Sequence, residues 1–283
     1  MAIIENTSRE FKFTEKDFNA LRKISNKHTG IIVGDDKYDM YYSRLVKRIR
    51  HLGLKSFAEY VKYLNNNYDS EFTPFIDSIT TNLTSFFREI HHFEKLKNEI
   101  VPELVTRIGS NGSLKVWSAG CSTGEEPYTI AITLLEALAG NHQIKPSIFA
   151  SDIDTTVLAT ASAGIYDISR IESLPMSMKK KWFLKGKGKM AGRVRVSPAL
   201  RNIISFNQVN LMEQWPQVRT KFHIIFCRNV VIYFDRPTKQ TLLNRYADQL
   251  EDNGYLILGH SESLQGLSDR FETIGKTIYR KIK

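Results

Sequence analysis

Cysteine is scarce in this sequence, with Cys121 and Cys227 as the only two among 283 residues. Two cysteines cannot build a disulfide framework, and no spacing of cysteine and histidine matches a structural zinc site. The adjacent His91 and His92 would point about 100° apart on a helix, so they are not expected to form a two-ligand metal face. The pattern therefore predicts neither a bound metal nor redox chemistry.

Long hydrophobic runs are also absent. No apolar stretch approaches the roughly 18 residues that a membrane-spanning helix needs, and the segment Met1 to Phe11 lacks the apolar region of a secretory signal. We therefore expect no membrane insertion and a cytoplasmic location. The apolar content of 42% is nevertheless enough for a substantial core in a globular chain of two parts.

Acidic residues are missing from one long segment. Nine basic residues and no acid lie between Ser173 and Met212, so this segment accounts for nearly all of the net charge of +10. A segment of such uniform charge is expected to meet an acidic partner. The nine residues are Lys179, Lys180, Lys181, Lys185, Lys187, Lys189, Arg193, Arg195 and Arg201.

The pattern up to about residue 100 favours helices. In FTEKDFNALRKISNKHTG, Thr14 is suited to an N-cap because Asp17 follows three residues later. The next helix, YYSRLVKRIRHLGLKSF, places apolar residues on one face and Arg44, Lys47 and Arg48 on the other. This basic face is either an ordinary solvated helix surface or a docking surface for an acidic partner.

From Leu114 onward, short apolar runs alternate with helical segments, for example KVWSAG with EPYTIAITLLEAL and SIFASD with TTVLATAS. This alternation predicts a mostly parallel, doubly wound α/β sheet and allows the last two strands to form an antiparallel edge. Ligands of such sheets bind outside the carboxyl ends of the strands. Residues 173–203, with the turn-rich GKGKMAGRVRVSP, interrupt the alternation and are predicted to form an inserted β-ribbon.

The turn SAGCSTGEEP is the most informative stretch. Gly120 and Gly124 allow a ligand to approach the backbone closely, as in dinucleotide-binding turns. The dinucleotide fingerprint itself is absent, and Glu125 and Glu126 at the start of the following helix would repel a phosphate. The turn therefore favours a cationic ligand. The alternative is that the two glutamates only balance the dipole of a helix that starts at Pro127.

Asp152 ends the next predicted strand, at the place where a carboxylate grips the hydroxyls of a ribose. Taken alone, it is equally suited to capping the helix that follows. Combined with the diglutamate turn, it predicts a nucleoside that carries positive charge and no phosphate. S-adenosylmethionine fits this description because it has a sulfonium and an ammonium group.

Five stretches, TTNLTSFFREIHHF, WSAGCSTGEEPY, FASDID, VNL and FCRNVVIYF, resemble the motifs of the bacterial chemotaxis receptor methyltransferases, the protein-glutamate O-methyltransferases called CheR. The resemblance runs in order and spacing from about Phe11 to the C-terminus. It implies a Rossmann-like S-adenosylmethionine-dependent methyltransferase domain (96–283) with a small inserted β-subdomain (173–203). An all-α N-terminal domain (1–95) precedes it and contains the start of the cofactor site at 82–88.

The resemblance also implies which residues contact S-adenosylmethionine and the reacting group. The cofactor-binding residues are Asn82, Thr84 and Arg88 at the methionine end, Glu126 at the amino group, Asp152 at the ribose, Asn210 and Leu211 at the adenine, and Arg228 and Asn229 beside the reaction site. Arg88 and Tyr233 are the implied catalytic residues. S-adenosylhomocysteine is the product and is expected to inhibit.

The implied reaction methylates glutamate carboxylates of chemoreceptors. Such a carboxylate, with a pKa near ~4.3, is already ionised at pH 7 and needs no general base. Arg88 and Tyr233 are therefore expected to orient the reactants, since a guanidinium pairs bidentately with a carboxylate. The alternatives are a surface ion pair of Arg88 with Glu89 or Glu94, and an ordinary half-buried aromatic at Tyr233.

The resemblance also suggests a binding partner for each of the two basic surfaces. The face with Arg44, Lys47 and Arg48 is suited to the acidic helices of the cytoplasmic domain of chemoreceptors. The ribbon from Lys185 to Arg195 resembles the subdomain with which some CheR proteins hold the C-terminal tail peptide of a receptor, and strand addition is a suitable binding mode.

Two other functions remain open. A nucleic-acid methyltransferase would suit the pI of about 9.4, but the stretch RNVVIYF lacks the prolines that hold a flipped base, so no nucleic-acid partner is expected. A regulatory module that binds S-adenosylmethionine without turnover is the second alternative. GHSES, near a nucleophile elbow in sequence, is interpreted as the end of a sheet strand and not as a serine hydrolase motif.

Overall fold

The computed structural model describes residues 9–109, 112–140 and 143–283. The chain divides into two compact units, one ending at Thr81 and the other beginning at Asn82. Among the described residues, no helix is long and apolar enough to cross a bilayer.

The division falls before the expected boundary at residue 95. Phe86 and Phe93 are buried in the core of the second unit, together with Tyr128 and Phe226. The ring of Phe93 stacks on that of Phe226 with their centroids 5.9 Å apart. The segment from Asn82 onward therefore packs as part of the second unit.

The first unit is helical in its described part, as the sequence predicts. Thr14 and Asp17 form a capping box at the start of its first helix, since each side chain accepts a hydrogen bond from the other residue's backbone N–H at 3.2 and 3.0 Å. Gly30 ends that helix in the left-handed region with φ 71°. The helices are α1 (Glu15–Thr29), α2 (Tyr38–His51), α3 (Phe57–Asn66) and α4 (Tyr68–Ile79), with a 3-10 turn at Asp35–Lys37.

The second unit contains a seven-stranded and a three-stranded sheet. Its helices are α5 (His91–Lys95), α6 (Val101–Ile108), α7 (Glu125–Ala137), α8 (Thr155–Ala163), α9 (Met176–Trp182), α10 (Pro198–Arg201) and α11 (Arg236–Gln249), with a π-helical turn at Leu96–Ile100 and 3-10 turns at Ile168–Ile171, Gly188–Met190 and Val231–Tyr233. Its strands are β1 (Ser113–Ala119), β2 (Lys145–Asp152), β3 (Ile165–Asp167), β4 (Phe183–Lys185), β5 (Arg193–Val196), β6 (Ile204–Gln208), β7 (Phe222–Cys227), β8 (Leu250–Leu258), β9 (Phe271–Gly275) and β10 (Ile278–Lys281).

The large sheet has the strand order β6-β2-β1-β7-β8-β10-β9. Its first five strands run parallel, and β10 pairs antiparallel with both β8 and β9. This confirms the predicted α/β class and the antiparallel edge. The chain passes from β1 to β2 on one side and returns to β7 on the other, which makes the carboxyl end of β1 a switch point where ligands bind.

The small sheet has the order β3-β5-β4, and all of its pairs are antiparallel. It begins at Ile165, before the expected start of the insertion at residue 173. It starts earlier because Tyr166 in β3 pairs with Val194 in β5. Both side chains are buried in the main core.

Candidate active site

The turn after β1 needs its two glycines. Gly120 and Gly124 have φ of 85° and 98°, in the region that favours glycine. A Cβ on Gly120 would also lie 2.4 Å from Cγ2 of Val230. The N–H of Gly120 and of Cys121 both donate to the carbonyl of Ser151 at 2.8 Å. The turn is thereby fixed beside the end of β2.

Glu126 is a buried carboxylate in the first turn of α7. It accepts hydrogen bonds from the hydroxyl of Ser118 at 2.7 Å and from Nη1 of Arg228 at 3.0 Å. Burial raises the pKa of Glu126, against the opposing effect of the nearby Arg228. A positively charged ligand group at this point would gain a carboxylate held in place by two protein donors.

Glu125 points elsewhere and is fully buried. Its carboxylate pairs with the guanidinium of Arg170, which also donates a 2.8 Å hydrogen bond to the carbonyl of Thr84. Glu125 therefore does more than balance the helix dipole, because it anchors Arg170 against the segment that carries Thr84. Sequence reasoning missed Arg170, an isolated arginine in a 3-10 turn with no motif around it.

Asp152 and Asp154 divide two tasks at the end of β2. Asp154 caps α8 by accepting from the N–H of Thr156 at 2.9 Å, and it also accepts from Nδ2 of Asn82 at 2.7 Å. Asp152 instead accepts from the N–H of Ser122 at 2.8 Å and of Asp154 at 3.1 Å. Burial raises the pKa of Asp152 to about 6. The helix-cap alternative for Asp152 is therefore wrong, since Asp154 fills that role.

Arg88 lies between two residues with left-handed backbone, Phe87 at φ 54° and Glu89 at φ 58°. Such conformations are uncommon for bulky residues and frequent at functional sites. Nη1 of Arg88 donates to the carbonyl of Leu83 at 3.0 Å. Its Nε stands 4.0 Å from the carboxylate of Glu89, too far for a hydrogen bond. The expected ion-pair alternative with Glu89 is thus only a loose contact.

Arg228 follows β7 and is buried. Besides Glu126, its guanidinium contacts the carboxylate of Glu89 at 3.4 Å and donates to the carbonyl of Arg88. One cation therefore joins the first turn of α7 to the Arg88 segment. The contact of Glu89 with Arg228 was not predicted from the sequence, because it depends on the fold and not on a spacing of residues.

The run HIIFCRNVVIYF is a strand only as far as Cys227. It turns at Asn229, whose φ is 60°, and then forms the 3-10 turn Val231–Tyr233. The side chain of Tyr233 at the end of this turn is 37% exposed. The structure thus brings Arg228, Asn229 and Tyr233 to the carboxyl end of the sheet, on a turn and not on a strand.

Glu262 holds this turn and was missed from the sequence. Its buried carboxylate accepts hydrogen bonds from the backbone N–H groups of Asn229, Val230, Ile232 and Gly259 at 2.6 to 3.2 Å. Glu262 belongs to the GHSES stretch, which does begin just after the end of β8. The interpretation of GHSES as the end of a strand is confirmed. The residue in it that stabilises the structure is Glu262.

The two residues implied for the adenine lie after β6. The N–H of Val209 donates to the carbonyl of Asp152 at 3.0 Å, which places Asn210 and Leu211 next to the end of β2. Nδ2 of Asn210 bonds the carboxylate of Glu213 at 3.0 Å. Leu211 is buried, and a buried aliphatic side chain is suited to packing on a heterocycle.

All the residues implied for the site therefore lie in the second unit, around the carboxyl ends of β1, β2, β6 and β7. They are Asn82, Thr84, Arg88, Glu126, Asp152, Asn210, Leu211, Arg228, Asn229 and Tyr233.

Comparison with known proteins shows the family of the chain. Residues 82–280 match the family model of the CheR methyltransferase S-adenosylmethionine-binding domain, and residues 16–80 match that of the CheR all-α domain. The second unit is thus an S-adenosylmethionine-binding methyltransferase domain, and its cofactor is S-adenosylmethionine. The chain belongs to the CheR methyltransferase family.

Curated relatives cover nearly the whole chain. Chemotaxis protein methyltransferase 2 of Pseudomonas aeruginosa is 43% identical over 96% of this chain and 95% of its own length. The chemotaxis protein methyltransferase of Salmonella typhimurium is 41% identical over 98% and 94%. Among solved structures, magnesium protoporphyrin IX methyltransferase from Synechocystis covers 77% of this chain and 91% of its own at 13% identity, but its TM-score of 0.34 is too low to add to the assignment.

Proposed function

We propose that this chain transfers the methyl group of S-adenosylmethionine to glutamate side-chain carboxylates of chemoreceptors, forming methyl esters for chemotactic adaptation. The observation that carries the proposal is the pair of buried carboxylates, Glu126 and Asp152, beside two neighbouring strand ends in a chain of the CheR family. The proposed place of action is the cytoplasm.

S-adenosylmethionine supplies an electrophilic methyl group on a sulfonium. Glu126 takes the ammonium group, because its carboxylate is already held by Ser118 and Arg228. Asp152 accepts the ribose hydroxyls with the lone pairs that Ser122 and Asp154 leave open. Thr84, Asn82 and Arg88 line the methionine end of the cofactor site. Asn210 and Leu211 line its adenine end.

The reaction joins a carboxylate oxygen of the substrate to the methyl carbon while the carbon–sulfur bond breaks, so no proton moves. Arg88 and Tyr233 therefore act by orientation: the guanidinium pairs with a carboxylate and the phenol borders the reacting group. Arg228 and Asn229 hold the wall of the site through the turn that Glu262 anchors. Exclusion of water from this wall strengthens the nucleophile.

The direct test uses the cytoplasmic domain of a chemoreceptor, S-adenosylmethionine and mass spectrometry of the receptor peptides. We expect methyl esters on glutamates with the wild-type protein and at least about a hundredfold less with Arg88→Ala. Equal transfer by both proteins would contradict the role of Arg88. Cofactor binding without any ester would support the regulatory-module alternative.

The receptor-facing surface of the first unit is proposed to centre on Lys47, which is exposed on α2. Arg44 and Arg48 are engaged within the unit: Arg44 donates to the carbonyls of Ile79 and Thr80, and Arg48 pairs with the buried Glu71. The uniformly basic face expected from the sequence is therefore only partly available for docking.

A tail peptide is proposed to bind the β-subdomain. A groove of about 480 Å³ runs along it, with Lys179, Lys180 and Lys185 beside apolar Met176 and Val194. This combination suits a peptide with acidic and apolar side chains. Strand β4 lies at an edge of the small sheet, where an extended peptide can pair by strand addition.

A further inference from the structure

Histidines surround the carboxylate of Glu89 at the border of the active site. Oε1 of Glu89 lies 2.8 Å from Nδ1 of His260, and Oε2 lies 3.5 Å from Nδ1 of His92. One ligand-type atom from each of Glu89, His91 and His92 lies within 4.8 Å of the other two. In the part of the chain that the structure describes, no other histidine, cysteine or carboxylate group reaches this arrangement.

The expectation that His91 and His92 diverge is wrong for their ring positions. Their ring centroids are 4.1 Å apart. Glu89 has left-handed backbone with φ 58°, and α5 begins only at His91. This turn brings the carboxylate of Glu89 back over the start of the helix, within 4.8 Å of a nitrogen of each ring.

His92 presents an unused nitrogen to this cluster. The side chain is fully buried, and its Nε2 lies 3.0 Å from the hydroxyl of Thr277. That hydroxyl lies 3.0 Å from the carbonyl of Leu258 and donates to it, so Nε2–H of His92 donates to the hydroxyl in turn. The lone pair of Nδ1 then has no hydrogen-bond partner. It faces a carboxylate, so two acceptors meet with no donor between them.

We propose that Glu89, His91 and His92 bind one divalent metal ion of the zinc class. Imidazole nitrogens with one carboxylate are a typical zinc ligand set, whereas magnesium and calcium prefer oxygen alone. Ligand atoms around a tetrahedral zinc stand about 3.4 Å apart, so the set must contract by roughly 1 Å. The contact of Thr277 with Nε2 orients His92 as the partners of metal-bound histidines do.

Metal binding would act on the cofactor site through Arg228. The guanidinium of Arg228 contacts Glu89 at 3.4 Å and Glu126 at 3.0 Å. A metal ion would draw Glu89 away from Arg228 and add positive charge near the carboxylate proposed to hold the cofactor's ammonium. The two ligands should therefore weaken each other's binding, by the same factor in both directions.

The test begins with metal-free full-length protein, titrated with zinc in competition with a chromophoric chelator. We expect one zinc per chain with a Kd of about 1 μM or below, and at least about tenfold weaker binding by His91→Ala. His91 is exposed, so this variant should fold. His51→Ala, which removes an exposed histidine of α2, is the matched control and should bind zinc as the wild type does.

Cobalt in place of zinc should give the visible absorption of a tetrahedral site, and millimolar magnesium should not compete. Equal zinc affinity of His91→Ala and wild type, or clearly less than one ion per chain, would overturn the proposal. The coupling is tested separately by measuring S-adenosylmethionine affinity with and without zinc. Weakening in the wild type and in His51→Ala but not in His91→Ala is expected, and equal weakening in all three would contradict the coupling.

Discussion

Glu126 is the residue on which cofactor affinity should depend most strongly, because it is buried and already held by Ser118 and Arg228. Glu126→Gln keeps the shape and removes the charge. Loss of a charged hydrogen bond costs about 1.5–3 kcal/mol, so the Kd for S-adenosylmethionine should rise by roughly tenfold to a hundredfold. Calorimetric titration measures this change. Glu94→Gln, which neutralises an exposed acid on α5, should leave the Kd unaltered, and an equal effect of the two variants would contradict the role of Glu126.

Asp152 should make cofactor binding depend on pH. Burial raises the pKa of Asp152 to about 6, and the neutral carboxyl is a weaker acceptor for ribose hydroxyls. Only about a tenth of the group is ionised one pH unit below its pKa, so affinity should fall by up to roughly tenfold between pH 7 and pH 5. Binding curves for the wild type and Asp152→Asn check this, since the variant should bind weakly with a flatter pH profile. A wild-type profile that is flat across pH 6 would contradict the role of Asp152.

The raised pKa of Asp152 affects folding stability in the opposite direction from cofactor binding. An acid whose pKa is higher in the folded than in the unfolded chain binds its proton more readily when folded. Asp152 therefore favours the folded state below its ordinary pKa of 3.8, and this contribution is lost as the pH rises through about 6. Weaker cofactor binding at pH 5 would thus not come from unfolding driven by this group.

Within α2, replacement of Lys47 and of Arg48 should affect stability and receptor binding differently, although both residues are basic. Arg48 pairs through Nε and Nη2 with Glu71, which also accepts from the hydroxyl of Tyr60. Arg48→Ala leaves that buried carboxylate without its cation and should cost about 3 kcal/mol of unfolding free energy. Lys47→Ala should change the stability little and raise the KM for receptor. Chemical denaturation and receptor titrations separate the two effects, and a stable Arg48→Ala would show that the ion pair carries little of the stability.

The basic ribbon from Lys185 to Arg195 should govern affinity for a partner and not the chemistry. Joint replacement of Lys187, Lys189 and Arg193 by alanine removes three charges of the acid-free segment. The KM for a receptor with its tail should rise, while the Kd for S-adenosylmethionine should stay constant, since none of the three lies among the proposed cofactor residues. Loss of cofactor binding would contradict this division. Joint replacement of three exposed basic residues of other elements, Lys23, Lys62 and Lys97, is the matched control.

Elements with strong local signals were predictable, and long-range contacts were not. The capping box of α1 and the strands that end at Ala119 and Asp152 follow from residues close in sequence. Arg170 pairs with a glutamate 45 residues away, and Glu262 binds N–H groups about 30 residues away. Nothing in the local pattern distinguishes these residues from exposed charges, because their partners are set by the order of the strands.

Across the whole molecule, the acidic and basic residues are concentrated in different parts of the second unit. The carboxylates proposed to meet the cofactor's cation lie around the carboxyl end of the large sheet. The excess of +10 is instead concentrated in the segment that forms the small sheet and its groove. The proposed function thus has an acidic substrate attracted by one part of the second unit and methylated at another. Methyl transfer to receptor should therefore weaken as ionic strength rises.

The proposed product is a methyl ester of a receptor glutamate. The most direct measurement incubates the protein with methyl-labelled S-adenosylmethionine and receptor-containing membranes, treats the protein fraction with mild alkali and counts volatile methanol. We expect labelled methanol, because alkali hydrolyses a carboxyl methyl ester. Label that stays bound to protein through the alkali treatment would mean methylation at nitrogen or carbon and would contradict it.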